Sequence, residues 1–147
     1  MLKANILELK NEDVLVVAEI EKECFSKPWS EKAIKAAIND DLSHFIVAKI
    51  GNEVVGYGGM YSVMGEGYIY NIAVKRKYRK FGIGTNIVNE LVNYSKIKSL
   101  NFLSLEVRKS NTPAINLYSN CGFKKIGNRK NFYTNPLEDA IIMTKFL

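Results

Sequence analysis

The chain has 147 residues, 47% of them hydrophobic and 24% charged, enough for one ordinary domain with one substantial core and too few for a second. No run approaches the roughly 18 consecutive apolar residues that span a bilayer, and Met1-Leu2-Lys3-Ala4-Asn5 is not followed by a signal-peptide core, so a cytoplasmic protein with no membrane partner is expected. The excess of 21 basic over 15 acidic residues gives a charge of +6 and implies an anionic ligand or partner, while Cys24, Cys121 and the single His44 are too few for a disulfide framework or a metal site.

A small strand is expected around Asn5 to Leu9. Val14, Val17, Ile20 and Cys24 then fit a first helix by their spacing. A second begins after Pro28-Trp29, with Ser30 as N-cap and Ala33, Ile34, Ala37 and Ile38 on its buried stripe. Phe45 to Ile50 and Val54 to Tyr61, joined by Gly51-Asn52, form a hairpin, with His44 at a strand edge. Tyr68 to Val74 is an aromatic and β-branched run with the length of a buried strand. Ile83, Ile87, Leu91 and Tyr94 put a third helix between about Gly84 and Lys98, and Phe102 to Val107 return to the sheet. Asn111 or Thr112 caps a short helix with Pro113 in its first turn and Gly122 past its end. Two strands, near Phe123 to Arg129 and Asp139 to Phe146, close the order. With no repeat or linker interrupting it, this order predicts one domain over residues 1–147, a mixed α/β sheet with helices on both faces.

Arg79-Lys80-Phe81-Gly82-Ile83-Gly84 lies between the Tyr68 to Val74 strand and the third helix. Glycines without a Cβ allow close backbone approach, and a helix directs its four unpaired N–H groups and positive dipole end at whatever precedes it. The loop reads as a pyrophosphate cradle; a plain glycine turn before a helix is the alternative. Gly82-Ile83-Gly84-Thr85-Asn86-Ile87 lacks the third glycine of the dinucleotide fingerprint, and no Gly-Lys-Ser/Thr closes a Walker loop. Because Lys75, Arg76, Lys77, Arg79 and Lys80 abut the loop, a phosphorylated cofactor explains them more economically than a duplex. The signatures of nucleic-acid binders are absent, and no direct nucleic-acid binding is expected.

Alternation along Phe102 to Val107 puts Leu103, Leu105 and Val107 on one face and Phe102, Ser104 and Glu106 on the other. Glu106, near the strand's end beside apolar neighbours, has two readings. One is a general base whose pKa is raised by partial desolvation, and the other is a salt bridge with Arg108 or Lys109. Tyr118 shares a helical stripe with Ala114 and Cys121 and faces inward, so its hydroxyl needs a partner. It suits a general acid for a leaving thiolate, or a core tyrosine bonded to a carbonyl. Cys121, with no histidine near it, is read as core, and both thiols as reduced.

The glycine loop resembles the one that receives the pyrophosphate of coenzyme A in the GNAT acetyltransferases. Pro28-Trp29-Ser30-Glu31, Asn71-Ile72-Ala73-Val74, Leu105-Glu106-Val107-Arg108, Ser110-Asn111, Ala114-Ile115-Asn116-Leu117-Tyr118, Gly122-Phe123 and Asp139-Ala140-Ile141-Ile142-Met143 extend the resemblance to the RimI-type branch over nearly the whole chain. It implies a central, mostly antiparallel sheet of six to seven strands and acetyl-CoA as cosubstrate, without a metal. It implies Glu106 as general base and Tyr118 as general acid. Ile72, Ala73 and Val74 would serve the pantetheine arm and the thioester carbonyl, with a strand N–H for the developing oxyanion. Arg79, Lys80, Phe81, Gly82, Ile83, Gly84 and Thr85 would hold the pyrophosphate, and Asn111 would contact the cofactor. The implied acceptor is the N-terminal alanine of the eighteenth small-subunit ribosomal protein, acetylated directly in a ternary complex by a monomer or weak oligomer. An α-amine, with a pKa of about 7.7–8.0, sheds its proton near neutrality more readily than a lysine at about 10.4. Other N-termini, lysines, a small amine, or a non-catalytic acyl-CoA-binding module are the alternatives. Trp29 and Tyr133 are candidates for the acceptor groove. Asn131-Phe132-Tyr133 departs from the family's frequent Asn-Tyr-Tyr, and the loop Thr134 to Leu137 is short.

Overall fold

Period-two and helical patterns alternate along the chain, and the computed structural model, which describes residues 3–147, converts them into a seven-stranded sheet and four α-helices. In chain order these are β1 (Asn5–Glu8), α1 (Val14–Cys24), α2 (Glu31–Ile38), β2 (Ser43–Ile50), β3 (Glu53–Val63) and β4 (Glu66–Val74). They continue as α3 (Ile83–Ile97), β5 (Phe102–Arg108), α4 (Thr112–Asn120), β6 (Lys124–Tyr133) and β7 (Glu138–Phe146). The spatial order is β1-β2-β3-β4-β5-β7-β6, and every neighbouring pair is antiparallel except β4 and β5. Among the described residues, no helix is long and apolar enough to cross a membrane.

Helices α1 and α2 cover one face of the sheet, where Val17, Ile20 and Ile34 meet Phe45, Val47 and Tyr57. The buried Asp13 before α1 holds Lys49 of β2 at 3.2 Å, pinning that helix to the sheet. On the other face α3 presents Ile83, Ile87, Val88 and Leu91 to Met60, Leu103 and Met143. Each such fully buried aliphatic side chain stabilises the fold by about 1.5–3 kcal/mol. The caps fall where local chemistry puts them: Ser30 Oγ accepts from Ala33 N–H at 3.1 Å, and Asn111 Oδ1 accepts from Ala114 N–H at 3.2 Å.

The sheet is interrupted where function concentrates. In the pairing of β3 with β4, Met60 faces Ile69 and Gly59 faces Asn71, so Tyr70 is an extra residue that bulges and bends β4. Strand β5 runs beside β4 only from Phe102 to Ser104, opposite Glu66 to Tyr68, and then parts from it. From Ile69 to Val74, β4 has β3 on one side and no ladder partner on the β5 side.

Several local expectations need correction. Ala33 is exposed, and α2 buries Ile34 fully with Ala37 and Ile38 only half, because the eight-residue helix touches the sheet with one narrow stripe. His44 lies on β2, an inner strand, and stacks face to face on Tyr94 of α3 with ring centroids 3.7 Å apart. Cys121 is half-buried at the C-cap of α4, on the edge of the core. Strand β6 continues through Asn131-Phe132-Tyr133, which antiparallel pairing with β7 extends past Arg129.

Candidate active site

The N-terminus of α3 begins at Gly82, with φ +84 and no side chain capping it. Lys80, two residues earlier, also has a positive φ of +68. The first intrahelical bond runs from Asn86 N–H to Gly82 C=O at 3.1 Å, so the earlier N–H groups of the first turn lack helical partners. A Cβ on Gly82 would meet nothing within 4 Å, and glycine serves the left-handed backbone there while leaving open space ahead of the helix. At Gly84 a Cβ would stand 3.2 Å from Leu117, so its bareness also serves the packing of α3 on α4.

The other loop residues also divide. Phe81 is exposed and Ile83 is buried in the core, so the latter offers only its backbone to a ligand. Arg79 folds back from the loop. Its Nε donates to Val74 C=O at 3.0 Å and its Nη2 lies 3.1 Å from Cys24 Sγ, joining the ends of β4 and α1. Ala73 is likewise a core residue, packed beneath α1 and α2.

Where β4 and β5 part, a cleft of about 520 Å³ opens, and it gathers Glu106, Tyr118, Ile72, Asn111, Trp29 and Tyr133. Its walls come from β4, β5, α4 and two loops, one between α1 and α2 and one between β6 and β7. Lys27 of the first loop donates a hydrogen bond to the Thr134 hydroxyl of the second, so the two are linked. Neither stretch carries that link in its own sequence.

Glu106 stands at the open end of β5, its side chain 32% exposed, and pairs with Arg129 Nε of β6 at 3.2 Å. The expected partner Arg108 instead bonds Glu138 at 3.2 Å and the carbonyls of Thr134 and Pro136, with its guanidinium 4.5 Å over the Tyr133 ring. Sequence reasoning missed Arg129 because it reaches Glu106 only through the β5-β7-β6 register, in which Gly127 and Glu106 both face Ile142. Tyr118 is buried against Phe123. Burial, then the neighbouring Tyr133 and Cys121, pushes its ionisation above the usual phenol range, and no hydrogen bond perturbs it. Tyr118 borders the cleft. Burial and the Glu106 carboxylate raise Tyr133 to about 12.

Glu21 was also missed. It lies fully buried on the apolar face of α1, and its carboxylate accepts from Trp29 N–H at 2.8 Å, from Asn71 Nδ2 at 3.2 Å and from the Tyr57 hydroxyl. Burial pushes its pKa up and the three donors oppose that shift. The network ties the loop that carries Trp29 to β4 beside the Tyr70 bulge. Its one sequence signal is an acid next to Ile20 within the Val14, Val17, Ile20 stripe. Trp29 packs edge-on to Tyr70, with centroids 5.2 Å apart.

Comparison with known proteins agrees with this fold. Residues 14–123 match the Acetyltransferase (GNAT) family. A Bacillus subtilis (strain 168) protein provisionally named as a [ribosomal protein bS18]-alanine N-acetyltransferase is 37% identical over 142 residues, covering 96% of this chain and 94% of that one. The Escherichia coli K12 [ribosomal protein bS18]-alanine N-acetyltransferase is 32% identical over 140 residues, 94% of each chain. The crystal structure of the ribosomal-protein-S18-alanine N-acetyltransferase from Escherichia coli superposes with a TM-score of 0.90 at 29% identity, covering 98% of this chain and 94% of that one. A mostly antiparallel sheet opened between two parallel strands, in a chain matched by this family and these relatives, defines here an N-acetyltransferase. The chain belongs to the acetyltransferase (GNAT) family.

Proposed function

We propose that this protein transfers the acetyl group of acetyl-CoA to the α-amine of a protein N-terminus in the cytoplasm, the acceptor being the N-terminal alanine of ribosomal protein bS18. The observation that carries the reading is the parting of β4 from β5 beside Glu106 and Tyr118. The acceptor is supported by the names of relatives that match over nearly their whole length.

The residues present fit the cosubstrate. Uncapped first-turn N–H groups of α3 and the positive-φ Lys80 and Gly82 suit a pyrophosphate, and Thr85 borders them. The unpaired side of β4 from Ile69 to Ala73 suits an amide-bearing arm that hydrogen-bonds like a strand, with Asn111 across the cleft. Acetyl-CoA supplies a thioester carbonyl for attack and a thiol as leaving group.

Glu106, open to water, takes the proton of the attacking amine directly or through a water molecule. Tyr118, kept neutral by burial, gives its proton to the departing sulfur. An acyl-enzyme is disfavoured because burial raises both Cys24 and Cys121, leaving thiols rather than thiolates. The test is intact-mass measurement of an alanine-initiated bS18 peptide incubated with enzyme and acetyl-CoA, beside an N-blocked lysine peptide. One acetyl group gained only on the free α-amine is expected; acetylation of the lysine peptide alone would overturn the reading.

A further inference from the structure

The cleft does not end at Glu106. It runs into a second cavity of about 590 Å³ on the same sheet face, and the two share Tyr70, Glu106, Phe132 and Tyr133. Helices α1 and α2 cover β2 to β4 on that face. Past Tyr70, no described helix packs over it.

An unbroken series of rings floors this second cavity. Tyr70 lies 4.8 Å from Tyr61, Tyr61 is stacked on Tyr68 at 5.2 Å, Tyr68 meets Phe102 edge-on at 5.8 Å, and Phe102 meets Phe146 at 6.3 Å. Phe146 is 71% exposed. Leaving such surface bare costs a protein stability and solubility unless something covers it. The charges nearby are largely answered within the chain: Glu106 pairs with Arg129, and Glu66 accepts a 2.6 Å hydrogen bond from the Tyr68 hydroxyl. What remains for a ligand is mostly π-face and ring edge, flanked by Ile126 and Ile142, a lining that favours large apolar and above all aromatic side chains.

We propose that this aromatic trough is a second specificity subsite, occupied by the acceptor polypeptide downstream of its N-terminal residue and selecting large apolar, chiefly aromatic, side chains. The inference rests on the reading that the acceptor is a protein N-terminus. An α-amine at Glu106 obliges the rest of the acceptor to leave the cleft, and the trough is continuous with it. From Glu106 to Phe102 along β5 is about 13 Å at the usual rise of a strand. An extended acceptor therefore sets its third to fifth residues over Tyr68, Phe102 and Phe146. Selection follows from side chains three to five residues away from the reacting amine, a distance at which they affect binding and not the proton transfers.

The test uses two synthetic hexapeptides beginning Ala-Ala, one with glycine and one with phenylalanine at positions three to five. Each is titrated calorimetrically into the protein with coenzyme A present, and separately assayed for acetyl transfer. The phenylalanine peptide is expected to bind about tenfold tighter, the size of effect that one buried apolar side chain supports. In Phe146→Ala, a surface change, and in Phe102→Ala, that advantage is expected to fall to about twofold or less while the glycine peptide binds and reacts as with the parent. Equal binding of both peptides, binding of neither, or a preference untouched by both variants would overturn the trough. So would a dimer that dissociates in Phe146→Ala, since the face would then belong to a second copy. Preferential binding without acetyl transfer would support the trough and sink the proposed reaction; transfer without preference would do the reverse.

Discussion

Glu106 and Tyr118 reach the same cleft from different elements, and their surroundings push them toward different tasks. The carboxylate is open to water and ion-paired with Arg129, whereas the phenol is buried. Glu106→Gln is expected to lower kcat by about 10²–10⁴-fold, the usual contribution of a general base, with acetyl-CoA affinity unchanged by calorimetry. An unchanged kcat would move the proton to another acceptor. Tyr118→Phe is expected to lower kcat comparably. Because burial raises the Tyr118 ionisation above its ordinary value, the parent phenol stays protonated to beyond about pH 10. The parent's kcat measured from pH 8 to 10 is therefore expected to show no fall from loss of that proton. A fall centred below pH 10 that vanishes in Tyr118→Phe would contradict the assignment.

At the scale of elements, the turn before α3 and the bulge in β4 shape the half of the site proposed to hold acetyl-CoA. Gly82 holds φ +84 with empty space where a Cβ would stand. In Gly82→Ala the left-handed backbone would cost about 1–2 kcal/mol, read as a lower urea midpoint, and the added methyl would raise KM for acetyl-CoA. A wild-type KM in a correctly folded variant would mean that the α3 terminus holds no phosphate. This loop was legible in the sequence because its determinants are local: a strand, basic residues, two glycines and a helical stripe within thirty positions. So were the ends of α4, where Asn111, Pro113 and Gly122 each sit at the expected cap position. The Tyr70 bulge was not legible. It exists only as a mismatch in the count between β3 and β4, which no single strand records.

Across the whole molecule, three tyrosines on different elements, Tyr57 and Tyr118 buried and Tyr133 half-buried, resist ionisation. Burial is the leading cause for Tyr57, Tyr118 and Tyr133 alike. Their folded pKa values exceed the unfolded value of about 10, so the stability they contribute is fully present below pH 10 and is lost as pH rises through the folded values. Thermal denaturation followed from pH 8 to 11.5 should show Tm steady to about pH 10 and falling beyond it. A Tm that rises above pH 10 would invert the sign of that linkage. Tyr57→Phe should soften the alkaline fall, yet cost stability at neutral pH by removing one donor from the buried Glu21.

By itself, the order of strands and helices determined the class of fold, and the run from Tyr68 through Lys98 pointed to the half proposed to bind the cofactor, since hydrophobic period, capping and glycine placement all act over a few residues. The packing of distant elements decided the rest. It set Arg129 against Glu106, turned Arg108 away to Glu138, and brought Trp29, Tyr57 and Asn71 onto one buried carboxylate. It also parted β4 from β5 after three residue pairs, opening the cleft and leaving the aromatic face beyond it uncovered. These contacts join residues that lie 8 to 50 positions apart in the chain, and the physics that pairs them is tertiary packing and long-range hydrogen bonding, which local pattern does not encode.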